Sequence, residues 1–416
     1  MSLLLLLLLA QGTARDARIA DALDWLARHR NEDGSWSVQG WVGRCGGKEC
    51  GAATGKDVND LGVTALATLA FLHAGVHPTE KTDAGRALDG ALDGLVKQQQ
   101  ADGLYGRVAE KQLYGHAVAT YAMAEAVRIA PDDIRRQSLT RAAGSLMAAR
   151  SPTGGWRYVA RDPGSDTSVT AWALHALHAA RQAGEKVHDM KAAFDWLDSV
   201  TEENHARVGY THRGTGKVFV PGGNEHFEHH ETLTAAAELC RLVYGRKAHP
   251  QSAGLLLKDL PKSDAKFVDS YYWYYGTRYL KELKSERAWE SWRSAAVKVL
   301  TDMQVRAKGG CRNGTWETGE RWSCEAGRVY VTAINTLTLC ALTGVSPAPS
   351  APKPGPNPPA EPKPAVPARF IIKLKNGGQL KAVSCADDID HYEVKLAGGM
   401  ATRIAKADVE SIEAIK

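Results

Sequence analysis

A two-helix repeat running from residue 17 to residue 344 is the feature that most constrains this chain. Each copy joins an amphipathic helix to a Gly-aromatic turn and then to a second helix that is apolar almost all round. The first copy reads ALDWLARHRNEDGSW followed by DLGVTALATLAFLHAG, and the third AAGSLMAARSPTGGWRY followed by DTSVTAWALHALHAA. The fifth is degenerate (SAGLLLKDLP, then DSYYWYYGTRYLKEL), and the sixth is WRSAAVKVLTDMQ with GTW, then RVYVTAINTLTLCALTG. Aligning the second helices makes Asp60, Gly115, Asp166, His230, Asp269 and Arg328 equivalent, with a period of about 54 residues. Turn aromatics at Trp36, Tyr105, Trp156, Tyr210 and Trp316 follow a comparable step. A helix that is apolar on every side must be buried by its neighbours. Six such helices predict a closed (α/α)6 toroid, with the second helices forming an inner barrel and the first ones sheathing it.

Parallel inner helices bring six N-termini to one rim, each with unpaired N–H groups and partial positive charge. Three rim positions are aspartates, Asp60, Asp166 and Asp269. Aspartate is a favoured N-cap, and three of them around a central cavity are also candidate catalytic acids. His116, His230 and Arg328 join them as candidate ligand-binding residues on that rim. Directly after Asp269 comes an aromatic run with Tyr271, Tyr272, Trp273 and Tyr275, and the third inner helix carries Trp172. Aromatic walls of this kind suit an apolar or polyene ligand, or a carbocation held by π-faces. The cluster His226-Phe227-Glu228-His229-His230-Glu231 has metal-compatible donors but no recognised zinc spacing, so neither a metal nor any other cofactor is expected.

The two ends of the chain differ in character from the repeats. Residues 1–14 hold seven consecutive leucines, Leu3 to Leu9, followed by the small residues Gly12 and Ala14. That run is too short to span a bilayer and reads as a signal-peptide-like leader, which predicts export to the periplasm or the exterior. In an oxidising compartment Cys45 with Cys50, and Cys311 with Cys324, would each close a local disulfide. Residues 15–345 form the toroid. Residues 346–368 contain ten of the seventeen prolines and predict an extended spacer. Residues 369–416 alternate polar and apolar positions around an Asn376-Gly377-Gly378 turn, predicting a small SH3-like β module with a binding or tethering role toward a protein or the cell surface. The net charge of +5 is spread along the chain rather than gathered into a basic block, which argues against nucleic acid as a partner.

The turns, together with LYGHAVATYAMAEA, GGWRY, SDTSVTAWALHAL, YYWYYGT and GGCRNGTW, resemble the QW repeats of squalene-hopene cyclases and protein prenyltransferase β-subunits over residues 17–344. The likeness extends to exported bacterial prenyltransferase/squalene-oxidase-repeat proteins. It implies a toroid with an isoprenoid-accepting lumen. The catalytic groups of those families do not carry over. Where a class II cyclase has its Asp-x-Asp-Asp-Thr-Ala acid motif, this chain has Pro163-Gly164-Ser165-Asp166-Thr167-Ser168, with Ser165 at the proton donor's place. Of the prenyltransferase zinc ligands, Asp269 matches the aspartate, while Tyr271 and Val331 replace the cysteine and histidine. The expectation is a toroid that binds an isoprenoid or other apolar ligand without the standard catalytic groups. Two alternatives stand beside it: a non-catalytic interaction scaffold, and a polysaccharide-active toroid drawing paired carboxylates from Asp60, Asp166 and Asp269.

Overall fold

A computed structural model describes residues 16–45, 51, 53–106, 111–307, 309–345, 370–387, 390–396 and 401–415. Its contacts cluster into two units, Met1–Ser350 and Ala351–Lys416.

The first unit holds twelve α-helices among its described residues, in six outer–inner pairs. The outer set is α1 (Ala17–Arg28), α3 (Asp83–Lys97), α5 (Asp133–Ala148), α7 (Lys191–Ser199), α9 (Ser252–Leu257) and α11 (Glu286–Met303). The inner set is α2 (Asp60–His73), α4 (Gln112–Ile129), α6 (Thr167–Gln182), α8 (Thr232–Val243), α10 (Ser270–Glu282) and α12 (Ser323–Thr343). Each inner helix packs on the next, and α12 returns to pack on α2, so the ring closes. Outer helices bury one stripe only; in α1 it is Ile19, Ala22, Leu23, Trp25 and Leu26, at the spacing one helical face requires. Inner helices are buried nearly all round, with Val63 to Leu72 continuously buried in α2. The degenerate fifth copy yields α9, an outer helix of only six residues.

The repeating turn has a repeating job. Trp36, Trp156 and Trp316 each donate the indole N–H to a carbonyl near the end of the preceding outer helix: Leu26 at 2.8 Å, Leu146 at 2.7 Å and Leu300 at 3.0 Å. Carbonyls in the last turn of a helix run short of intrahelical donors, and the indole supplies one there. The backbone N–H of the turn residue then donates to a threonine one turn into the inner helix. Trp36 reaches Thr64 at 2.9 Å, Trp156 reaches Thr170 at 2.9 Å, and Val208 reaches Thr234 at 3.1 Å. In the second repeat His116 replaces the threonine, accepting from the Tyr105 N–H at 3.0 Å. This hook corrects two registers. The rim position of repeat two is Gln112 rather than Gly115, and the turn residue of repeat four is Val208 rather than Tyr210.

Ring closure depends on one glycine. Gly327 has φ 64° at a break near the start of α12, and a Cβ there would lie 2.3 Å from the Thr54 carbonyl. Around it the Lys56 N–H and the Asn59 side-chain amide donate to the Glu325 carbonyl at 2.8 and 2.7 Å. No helix among the described residues is long and apolar enough to cross a membrane.

The second unit is a five-stranded antiparallel sheet: β1 (Phe370–Leu374), β2 (Gln379–Asp387), β3 (His391–Leu396), β4 (Ala401–Ala405) and β5 (Val409–Ala414), in the order β4-β3-β2-β1-β5. Ile372, Ala382 and Val394 form its small buried core.

Candidate functional site

The lumen opens at the N-terminal end of the inner helices into a cavity of about 360 Å³. Residues two beyond each rim position line it, and in the first and third repeats so do those six beyond, because positions four apart share a helix face. These are Gly62 and Leu66 after Asp60, Tyr114 after Gln112, Ser168 and Trp172 after Asp166, Thr232 after His230, Tyr271 after Asp269, and Tyr330 after Arg328. Loop residues Tyr158, Tyr210, Phe219 and Trp322 complete the wall. Further along the helices the lumen is filled. Tyr275 packs edge-on against Tyr271 and Trp172, and Tyr274 stacks on Trp172 with centroids 5.8 Å apart.

The polar atoms of this wall are largely engaged with one another. The Tyr114 hydroxyl donates to the Tyr271 hydroxyl at 2.8 Å, and the Trp172 indole N–H donates to the same oxygen at 2.8 Å. Tyr158 and Tyr210 share a hydrogen bond between their hydroxyls. The aromatic part of the wall therefore presents mainly ring carbon, and Val63, Leu66, Val218, Val220 and Leu233 add aliphatic surface. Tyr330 also lines the cavity, but its hydroxyl is shielded from that space and has no hydrogen-bond partner among the described residues.

Charged groups gather on one side of the mouth. Glu325 receives ion pairs from Lys56 and from Lys111, the latter at 2.7 Å. Burial opposes its ionisation, but the two lysines outweigh burial and hold the carboxylate below its usual range. Asp269 caps α10 by accepting from the Tyr272 N–H at 2.9 Å, and it also accepts from the Trp322 indole at 3.2 Å. The Arg321 guanidinium lies 3.9 Å from its other oxygen. Behind Asp269 is Glu320, which accepts from the Trp322 N–H at 2.8 Å and the Ser323 hydroxyl at 2.9 Å. Burial, and then the Asp269 charge, push its carboxyl up to about 8. His230 has both ring nitrogens against acceptors, the Asp259 carboxylate and the Phe267 carbonyl. Burial lowers its pKa, but these partners and Asp269 outweigh that and raise it, favouring the imidazolium.

Of the residues singled out from sequence, Asp269, Tyr271, Trp172 and His230 come together on this cavity. His229 of the donor cluster lines it as well; the remaining candidates do not, each for a local reason. Asp166 turns back to cap α6, accepting from the Val169 N–H at 2.9 Å and the Ser168 hydroxyl at 2.7 Å; burial pushes it up to about 6. Asp60 accepts from the Val38 N–H at 2.7 Å. His116 is the structural hook of repeat two, and burial keeps it neutral, with its pKa lowered to about 4. Arg328 braces the last turn through the Trp316 carbonyl at 3.1 Å and Glu317 at 2.7 Å. Tyr272 points outward to the Asp259 carbonyl at 3.0 Å, while Trp273 and Tyr275 are buried in packing. Ser165 pairs with the Thr153 hydroxyl at 2.7 Å, and Val331 is buried within α12. His229, His230 and Glu231 are drawn to Arg321, Asp259 and Arg207 respectively, so they do not converge on a common point.

The Cys311–Cys324 pairing is corrected too. Cys311 Sγ lies 3.1 Å from Cys45 Sγ, whereas Cys324 Sγ faces the Arg321 carbonyl at 3.8 Å. Cys50 and the leader at residues 1–14 lie outside the described residues.

Tyr114, Tyr158, Trp322, Tyr330, Lys56, Lys111, Arg321, Glu320 and Glu325 were not singled out from sequence, and Tyr210 only as a turn aromatic. The offset of two from the rim position would have found Tyr330 directly, and Tyr114 once repeat two is counted from Gln112.

No family model and no curated protein matches the chain. Solved structures do. The type II terpene cyclase MstE from Scytonema aligns with 79% of this chain and 97% of its own at 16% identity, TM-score 0.53. The GH76A alpha-1,6-mannanase of Salegentibacter sp. HEL1_6 covers 79% and 99% at 7% identity, TM-score 0.54. A novel alpha-amylase from Clostridium perfringens covers 79% and 99% at 10% identity, TM-score 0.52. The chain shares the α/α toroid fold of terpene cyclases and of glycan-active enzymes. At these identities the likeness is one of fold alone.

Proposed function

We propose that the toroid binds an isoprenoid-like apolar ligand in its central cavity. The observation that carries this reading is the mutual hydrogen bonding of Tyr114, Trp172 and Tyr271, which leaves π-faces and ring edges as the recognition surface. A sugar would need free donors and acceptors around the wall, since each buried hydroxyl left unpaired costs about 1–3 kcal/mol. A volume of about 360 Å³ lies at the small end of the ~300–1,000 Å³ typical of ligand pockets and suits a compact or folded chain. The acids near the mouth are Asp269 and Glu325, both held by cations or indole, and Glu320 behind them. None occupies the place of a cyclase proton donor, so binding rather than standard cyclisation is the reading proposed.

The test is tryptophan-fluorescence titration of the purified chain with geranylgeranyl alcohol, alongside mannotriose and maltotriose. Saturable quenching by the alcohol, weakened at least about tenfold by Trp172→Ala, supports the reading; tenfold corresponds to about 1.4 kcal/mol. Saturable binding of an oligosaccharide with none of the alcohol overturns it in favour of a glycan site. Binding of neither probe overturns it as well.

A further inference from the structure

Away from the cavity, three ligand-bearing side chains from distant parts of the chain meet where the ring closes. His29 directly follows α1, Cys45 follows the 3-10 turn Gly40–Arg44, and Cys311 lies between α11 and α12. Their donor atoms all lie within 4.8 Å of one another. Cys311 Sγ is 3.1 Å from Cys45 Sγ and 3.4 Å from His29 Nε2. Sulfurs of a disulfide would be about 2.05 Å apart. Donors around a tetrahedral zinc ion, with bonds of about 2.0–2.3 Å, lie roughly 3.3–3.8 Å from each other. Two of the three separations, 3.1 and 3.4 Å, fall close to that range, and the third is within 4.8 Å.

The histidine is set up as a ligand. Its Nδ1 lies 2.8 Å from the Trp25 carbonyl, which can only accept, so Nδ1 carries the hydrogen and Nε2 turns its lone pair toward the sulfurs. A backbone carbonyl fixing the tautomer in this way is the usual outer support of a metal-bound histidine. The ring is 1% exposed, stacked on Trp25 with centroids 4.2 Å apart and met edge-on by Trp41 at 5.7 Å. Its direction is thus held by packing before any ion arrives. On the other side, the Arg28 guanidinium stands 3.9 Å from Cys311 Sγ, placing a positive charge beside the sulfur.

We propose that His29, Cys45 and Cys311 form a site for a soft divalent ion, zinc in the first instance, which clasps the first repeat to the last. Two thiolates and an imidazole are the donor set that selects zinc over hard cations. The described residues supply three donors, and a tetrahedral ion takes a fourth ligand besides. The clasp bridges 266 residues of sequence between Cys45 and Cys311. None of the three residues lines the central cavity, so the site is independent of ligand binding there.

The experiment uses the reduced, chelator-treated full-length chain, titrated with Zn²⁺ and with Co²⁺. The expected results are one Zn²⁺ per chain by elemental analysis, and a Co²⁺ complex showing thiolate charge-transfer and tetrahedral d–d bands. Zn²⁺ should also shield Cys45 and Cys311 from alkylation while Cys324, comparably half-buried, stays reactive; this readout needs no variant. His29→Ala and Cys311→Ser should each abolish stoichiometric binding, and Cys324→Ser should not. Absence of bound metal in the reduced wild type overturns the proposal. So does a Cys45–Cys311 disulfide, found by non-reducing peptide mapping, in a protein that takes up no metal after reduction.

Discussion

The indole N–H of Trp172 donates to the hydroxyl of Tyr271 at 2.8 Å, joining the third inner helix to the fifth across the cavity wall. The same oxygen accepts from Tyr114 on the second inner helix. One hydroxyl thus ties three helices of the ring. Removing it in Tyr271→Phe leaves the buried Trp172 N–H with only its 3.2 Å contact to Tyr114 and leaves the Tyr114 hydroxyl without that acceptor. The expected cost is about 1–3 kcal/mol, read from the urea midpoint at unchanged slope.

The threonine hooks of the repeat should each matter on their own. Thr64→Val or Thr170→Val leaves a buried turn N–H, of Trp36 or Trp156, without its acceptor. Each should destabilise by about 1–3 kcal/mol. The two hooks share no partner, so the double variant should show the sum of the single losses in denaturant unfolding.

Glu320 gives the toroid a pH signature. An acid whose folded pKa lies near 8, above its usual 4.5, binds more protons folded than unfolded between those values. Its stability contribution is therefore full below about pH 4.5 and is lost as pH rises through 8. The wild type should lose about 2–4 kcal/mol from this group between pH 5 and 9. Glu320→Gln should flatten that slope, as measured by urea unfolding across the same range.

Gly327→Ala tests the closure of the ring. At φ 64° an alanine is strained, and its Cβ would lie 2.3 Å from the Thr54 carbonyl oxygen. The expected loss is about 2–4 kcal/mol, read from the thermal midpoint of the full chain.

The architecture was legible because periodicity alone forces it. A second helix with no polar face cannot exist without neighbours on all sides, and six copies leave a ring as the natural solution. The site was harder to read. Asp166 and Asp269 look identical in sequence, each an aspartate before a buried helix, and both do cap. Only Asp269 reaches the cavity, because Trp322 and Arg321, from the entry to α12, come to meet it there. His116 looked like a rim ligand, yet it substitutes for a threonine in a backbone contact that no spacing rule reveals. Tyr114 was hidden by a register three residues out: matching the Val-Thr-like pairs sets Val118 against Val63 and Val169, which puts Gly115 rather than Gln112 at the rim. Cys45 and Cys311 were assigned to separate local pairs because sequence separation says nothing about which turns of a closed ring touch.

That closure has a kinetic meaning. In an open array each repeat can fold on its neighbour and the ends can fray, but a ring has no end repeats. Its seam joins Lys56 and Asn59 to Glu325 and sets Gly327 against Thr54, contacts that form only when opposite ends of the toroid meet. Such distant pairings belong to the late, slow part of folding, after local helix pairs have formed. Once made, they should let the toroid resist unfolding as a whole, so that its lifetime rather than any single repeat's stability governs how long the cavity persists.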